Sequence, residues 1–146
     1  MILLATLCAT MAFGQELSDI PKKTNTIILS DSAKSFNYLI EFANYLQDQG
    51  YDIEKLDKDL QNLNTAFKDY KFAGLAQMKI YAFTRQMDST AVLTIKCKIL
   101  ISSFAGQAPM DACNCGIIGD ARLNAFKETL RLAKGFQYDK IEFLIK

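Results

Sequence analysis

Residues 91–101 read AVLTIKCKILI, and their alternation decides the fold class. Ala91, Leu93, Ile95, Cys97, Ile99 and Ile101 fall on one side of an extended chain, with Val92, Thr94, Lys96, Lys98 and Leu100 on the other. Successive side chains of a strand point to opposite faces, so this period of two predicts a strand with one apolar face. Just upstream, Met78, Ile80, Ala82 and Thr84 alternate in the same way with Lys79, Tyr81, Phe83 and Arg85. Only the polar stretch Met87-Asp88-Ser89-Thr90 separates the two runs. A short polar connection between two alternating runs predicts an antiparallel hairpin.

The rest of the chain is read outward from that hairpin. Thr26–Leu29 is a short β-prone run that ends at Ser30-Asp31-Ser32, residues suited to capping a helix. From Ser32 to Gln49 the apolar residues Phe36, Leu39, Ile40, Ala43 and Leu46 recur at three- and four-residue spacing, the stripe of a helix, and Gly50 supplies its stop. Residues 51–56 read as a strand, Asp57–Asp59 as a turn, and Leu63, Thr65 and Phe67 alternate with Asn62, Asn64 and Lys68 as the next strand. Residues 102–118 lose all periodicity and read as a long loop containing Gly106, Pro109 and Gly116. A second helix is expected from Asp120 to Lys134, with its stripe at Leu123, Phe126, Leu130 and Ala133, stopped by Gly135. Ile141, Phe143 and Ile145 then alternate with charged residues as a last strand. The order β-α-β-β-β-β-α-β, with one apolar face per element, predicts a two-layer α+β sandwich: an antiparallel-rich sheet with two helices on one face.

Residues 2–13, ILLATLCATMAF, form an uncharged apolar run. A helix crossing a bilayer needs roughly 20 apolar residues, so the run is too short for a span but suits the core of an export signal. Ala12-Phe13-Gly14 places small residues at the −3 and −1 positions before Gln15. The expected organisation is a signal peptide over 1–14, a flexible lead over 15–24 and one α+β domain over 25–146. No basic residue precedes the apolar run, which puts the true start a few codons upstream or leaves the charge to the amino terminus. Leu7 before Cys8 is not the small residue a lipidation site wants. The mature chain is expected in the periplasm or secreted, with no transmembrane span.

The whole chain has 146 residues, half of them hydrophobic, with 17 Lys and Arg against 16 Asp and Glu. That balance fits one globular domain and gives no global drive toward nucleic acid. The chain contains no His, which excludes Ser-His-Asp, Cys-His and HExxH chemistry and His-ligated zinc. Asp57-x-Asp59 lacks the glycine and the terminal Glu of a calcium loop, and Gly116-x-x-Gly119 is not a phosphate loop. No motif names an enzyme or a cofactor, although dispersed carboxylates of the glycosidase kind carry no spacing signature.

Loss of the signal leaves Cys97, Cys113 and Cys115. An exported chain meets an oxidising compartment, so these three are the disulfide candidates. Cys97 could be inert in the core or bridge to one loop cysteine. Cys113 and Cys115 could be bridged, free, or form a small thiol-redox or soft-metal site. A closed zinc site needs four ligands, so no metal is assigned.

If the apolar alternates face the helices, Asn62, Asn64, Lys79, Tyr81, Phe83, Arg85, Thr94, Lys96 and Lys98 face outward. Aromatic residues interleaved with cations suit stacking and charge recognition. Export and the lack of a glycine-aromatic RNA-binding signature argue against nucleic acid. Tyr81, Phe83, Lys96 and Lys98 are therefore the candidate contact residues for an envelope protein, a peptide or a glycan. The competing expectation is a solvated face whose two aromatics are covered by the 102–118 loop.

From Thr26 to Ile101, the helix, Gly50-Tyr51-Asp52-Ile53, the acidic turn Asp57–Asp59, the strand carrying Thr65 and the hairpin together resemble small secreted envelope domains of Gram-negative bacteria with a TATA-binding-protein-like fold. More remotely, the pattern is similar to domains of the C lipoprotein of the outer-membrane β-barrel assembly machine. The resemblance implies an α+β envelope domain with a non-enzymatic role, and it transfers no site residues. The chain departs from it in lacking a lipobox and in carrying the cysteine-rich loop.

Overall fold

The computed structural model describes residues 16–34, 37–70, 76–101 and 108–146. The expected signal segment, with Cys8, lies outside the described residues, as do Phe36 of the first helical stripe and residues 102–107 of the long loop. Two helices and eight strands are described: β1 (Thr26–Asp31), α1 (Tyr38–Asp48), β2 (Ile53–Asp57), β3 (Asn62–Thr65), β4 (Lys68–Asp69), β5 (Ala76–Met87), β6 (Thr90–Ile101), β7 (Met110–Asp111), α2 (Ala121–Gly135) and β8 (Lys140–Leu144). Every described pairing is antiparallel, and the strands run β2-β3-β5-β6-β1-β8 across one sheet. The chain is a two-layer α+β protein.

The β5–β6 hairpin is the spine of the sheet, in register from Ala76↔Ile101 to Met87↔Thr90. Its inward row, Met78, Ile80, Ala82, Leu93, Ile95, Cys97 and Ile99, shares one core with Ile27 and Leu29 of β1, Leu39, Phe42 and Leu46 of α1, and Phe126, Leu130 and Ala133 of α2. Ile28 and Val92, on the opposite face, are not part of that core. Both helices therefore cover the same side of the sheet.

Local chemistry sets the ends of the elements. Gly50 lies at φ +81°, and its N–H and that of Tyr51 close on the carbonyls of Gln47 and Leu46, a Schellman stop for α1 that favours glycine. Asp120 caps α2 by accepting from Arg122 N at 2.8 Å. A Cβ on Gly135, the last residue of α2, would meet the Tyr45 hydroxyl of α1. Phe136, just beyond it, packs its ring within 5.0–5.4 Å of Tyr38, Phe42 and Tyr45.

Three features depart from the sequence expectation. Helix α1 starts at Tyr38, not Ser32, because the capping side chains are engaged elsewhere: Ser32 donates through N and Oγ to Asp139, and Asp31 accepts from Ala33 N. The strand expected through Lys68 is broken after Thr65, whose hydroxyl takes the Ile80 N–H that a ladder carbonyl would otherwise receive. Pairing resumes at β4 with Lys68↔Met78, and β7 similarly extends the edge along β6 with Lys98↔Asp111. The lead expected to be flexible packs on the domain from Leu17 onward. Ile20 and Thr24 are buried there, and the Asn114 side chain donates to the carbonyls of Ile20 and Pro21.

Candidate functional site

The helix-free face of the sheet carries the residues singled out from the sequence. Directly opposed residues of antiparallel strands share a face, so the registers assemble rows across it. One row runs Asn64, Tyr81, Lys96, Thr26. The next runs Asn62, Phe83, Thr94, Ile28, and a third pairs Lys79 with Lys98 and then Asp111. Tyr81, Phe83, Lys96 and Lys98 therefore occupy three adjacent rows of two neighbouring strands, with Arg85 beside them opposite Val92.

This face is not evenly wet. Phe83 is 39% exposed and Arg85 is exposed, whereas Tyr81, Lys96 and Lys98 are half-buried. Thr94, expected to face outward, does lie on this face but is only 1% exposed. Val92, Ile28 and Thr26 around it are also buried, so the middle of the face is a closed strip of two threonines and two aliphatics, and its exposed part lies toward β5.

Charge on the face is partly compensated. The paired lysines Lys79 and Lys98 would repel each other, and each has an acid: Glu54 salt-bridges Lys79, and Asp111 lies 4.0 Å from Lys98. Lys79 Nζ also sits 5.4 Å from the Phe67 ring centroid and 5.7 Å from that of Tyr81, within cation–π range. Lys96 makes no ion pair among the described residues. Asn64, next to Tyr81, holds a buried Oδ1 with no hydrogen-bond partner among the described residues.

The cysteines separate into two environments. Cys97 is a free, buried thiol under the helices, and burial pushes its pKa up to about 12. The sulfurs of Cys113 and Cys115 lie side by side, their Cα atoms 5.2 Å apart. The structure thus keeps Cys97 apart from the loop pair. Among the described residues no three Cys, Asp or Glu side chains converge into a metal-ligating group.

A cleft of about 640 Å³ escaped the reading of the sequence. It lies between α2 and the β2–β4 region and is lined by Tyr51, Lys68, Asp69, Tyr70, Asn124, Lys127, Glu128 and Arg131. Arg131 donates twice to Glu128, at 2.7 and 2.9 Å, and holds its carboxyl below the usual range. Tyr51 also donates to Glu128, at 3.1 Å, while Tyr70 donates to the Ala121 carbonyl at 2.8 Å. Burial raises both phenols, Tyr70 to about 12, so each remains a protonated donor with its bond already made. Lys68 lies 4.3 Å over the Tyr51 ring. Tyr51, Tyr70, Glu128 and Arg131 of the cleft are thus already engaged within the chain. Its one signal in the sequence is the polar stripe Asn124, Lys127, Glu128, Arg131 on the face of α2. Tyr51 lies 77 residues from Glu128, and no local pattern joins them.

No helix among the described residues is long and apolar enough to cross a membrane. Compared with protein-family models and with curated proteins, the chain matches no family and no curated relative at a significant level.

Proposed function

We propose that the chain is an exported module of the bacterial cell envelope that binds or assembles with a partner and performs no catalysis. The observation that carries this reading is the helix-free sheet face, where Tyr81 stands opposite Lys96 with partly exposed Phe83 in the next row. Aromatic surface beside an unpaired cation is the kind of contact that peptides, glycans and protein edges engage. The apolar run at residues 2–13, ending at Ala12-Phe13-Gly14, supports export. Cross-linking in the native envelope followed by capture of the chain is the experiment. A defined partner, cross-linked through β5 or β6, supports the module, and cross-links confined to other surfaces remove this face from it.

A second reading, thiol exchange or soft-metal handling at Cys113 and Cys115, has the adjacency of the two sulfurs in its favour. Counting free thiols and bound metal in natively purified protein separates the two. Bound metal or a readily reduced loop pair favours the second, and an unreactive pair without metal favours the first.

A further inference from the structure

Residues 116–119 form a fully exposed tip, and its two side chains are both isoleucine: Ile117 is 82% exposed and Ile118 is 93% exposed. Placing adjacent large aliphatics in water is unfavourable, and such display marks an interaction site. The tip is firmly mounted. Gly116 and Gly119 take the left-handed φ values of +82° and +95° that turn the chain out and back, and Asp120 N donates to the Ile117 carbonyl at 3.0 Å. Beneath it, Asn114 is buried and clamps the N-terminal lead through both backbone and side chain. The hollow against the tip is lined by apolar Leu17 and Leu123 and by Lys22 and Lys127, with no acid among its lining residues. The nearest carboxylate in sequence, Asp120, is matched by Arg122 at 3.2 Å.

We propose that Ile117 and Ile118 insert into the interfacial region of an anionic lipid bilayer while Lys22 and Lys127 meet its phosphates. Aliphatic tips ringed by lysine stems partition in this way, with apolar side chains among the acyl chains and ammonium groups at the headgroups. A protein partner suits the tip less well. Stable interfaces bury on the order of 1,200 Å² or more around aromatic or arginine anchors, and a four-residue tip with two isoleucines provides neither. This contact lies apart from the sheet face and does not depend on it.

The full chain contains no Trp, so Ile118→Trp introduces a single tryptophan, excited selectively over the tyrosines at the red edge, at a site exposed enough to leave folding intact. The probe is phosphatidylcholine vesicles with and without phosphatidylglycerol. The expected result is a blue shift, with quenching by brominated acyl chains, on the anionic vesicles and weakened by salt. Ile117→Ser with Ile118→Ser, and separately Lys22→Glu with Lys127→Glu, should each lower vesicle binding of the otherwise native chain by roughly tenfold or more. Vesicle binding with the indole still in water would overturn the proposal and assign the binding to another segment. A blue shift without vesicles that grows with protein concentration would overturn it in favour of a second copy, and no binding at all would overturn it outright.

Discussion

Tyr81 and Lys96 are direct cross-strand neighbours on the sheet face that neither helix covers. Their strand neighbours Ile80, Ala82, Ile95 and Cys97 all point into the helix-covered core. One hairpin thus supplies both the centre of the core and the centre of the candidate contact surface, with single-residue alternation separating the two roles.

That separation predicts opposite outcomes at adjacent positions. Ile95→Asp places an unpaired carboxylate where the side chain is 1% exposed, at a cost of about 3–5 kcal/mol. This is a large part of the stability of a domain of this size, and circular dichroism with urea titration should show cooperative folding lost or severely weakened. A cooperative transition close to that of the unaltered chain would mean that the core is not organised around this row.

The hairpin and the second helical stripe were legible because each is a local periodicity: Ala91–Ile101 repeats every two residues and Leu123–Ala133 every three to four. The first stripe was legible only in part, since Leu39, Ala43 and Leu46 are buried while Ile40 is not in the core and Tyr38 and Phe42 are. The position of β1 between β6 and β8 was not, since Ile27 meets Ile95 and Phe143 only through pairings between distant segments. The delayed start of α1 depends on Ser32 reaching Asp139, 107 residues away. The candidate face was visible as outward alternates, but the burial of Thr94 was not, because it depends on neighbours such as Phe83 and Ile28 from two other strands. The Tyr51–Glu128–Arg131 cleft was missed for the same reason.

Cys97 should behave as an inert core thiol. With its pKa pushed up to about 12 by burial, almost none is thiolate at neutral pH. Iodoacetamide should leave Cys97 unmodified in the folded chain and alkylate it fully in denaturant, as read by peptide mass. Rapid alkylation under native conditions would place this thiol outside the core.

Acid should weaken the fold through identifiable carboxylates. Hydrogen bonds from Arg122 hold the Asp120 carboxyl low, those from Arg131 hold Glu128 low, and those from Ser32 hold Asp139 low. Groups with depressed folded pKa values stabilise above their unfolded values, near 4, and lose that contribution as pH falls through the folded values. The urea midpoint should therefore be flat between about pH 5 and pH 8 and fall below about pH 4. Asp120→Ala should cost about 1 kcal/mol at neutral pH through loss of the α2 cap, whereas Asp120→Asn should keep most of the cap and shallow the acid fall. A midpoint indifferent to pH below 4 would contradict this assignment.

Export makes a prediction about covalent structure. Intact-mass analysis of the chain recovered from the envelope or medium should give a species beginning close to Gln15. Exported material that retains Met1 would remove the signal-peptide reading, and with it the oxidising compartment inferred for Cys113 and Cys115.

The most direct test of the binding module is partner capture by the chain carrying Tyr81→Ser together with Lys96→Glu, cross-linked in the native envelope beside the unaltered protein. Both positions are half-buried rather than exposed, so a loss of roughly 1–2 kcal/mol is expected, with a cooperative urea transition retained. The predicted result is a folded double variant that fails to capture the partner held by the unaltered chain. Full capture by the folded variant would contradict a contact surface at Tyr81 and Lys96.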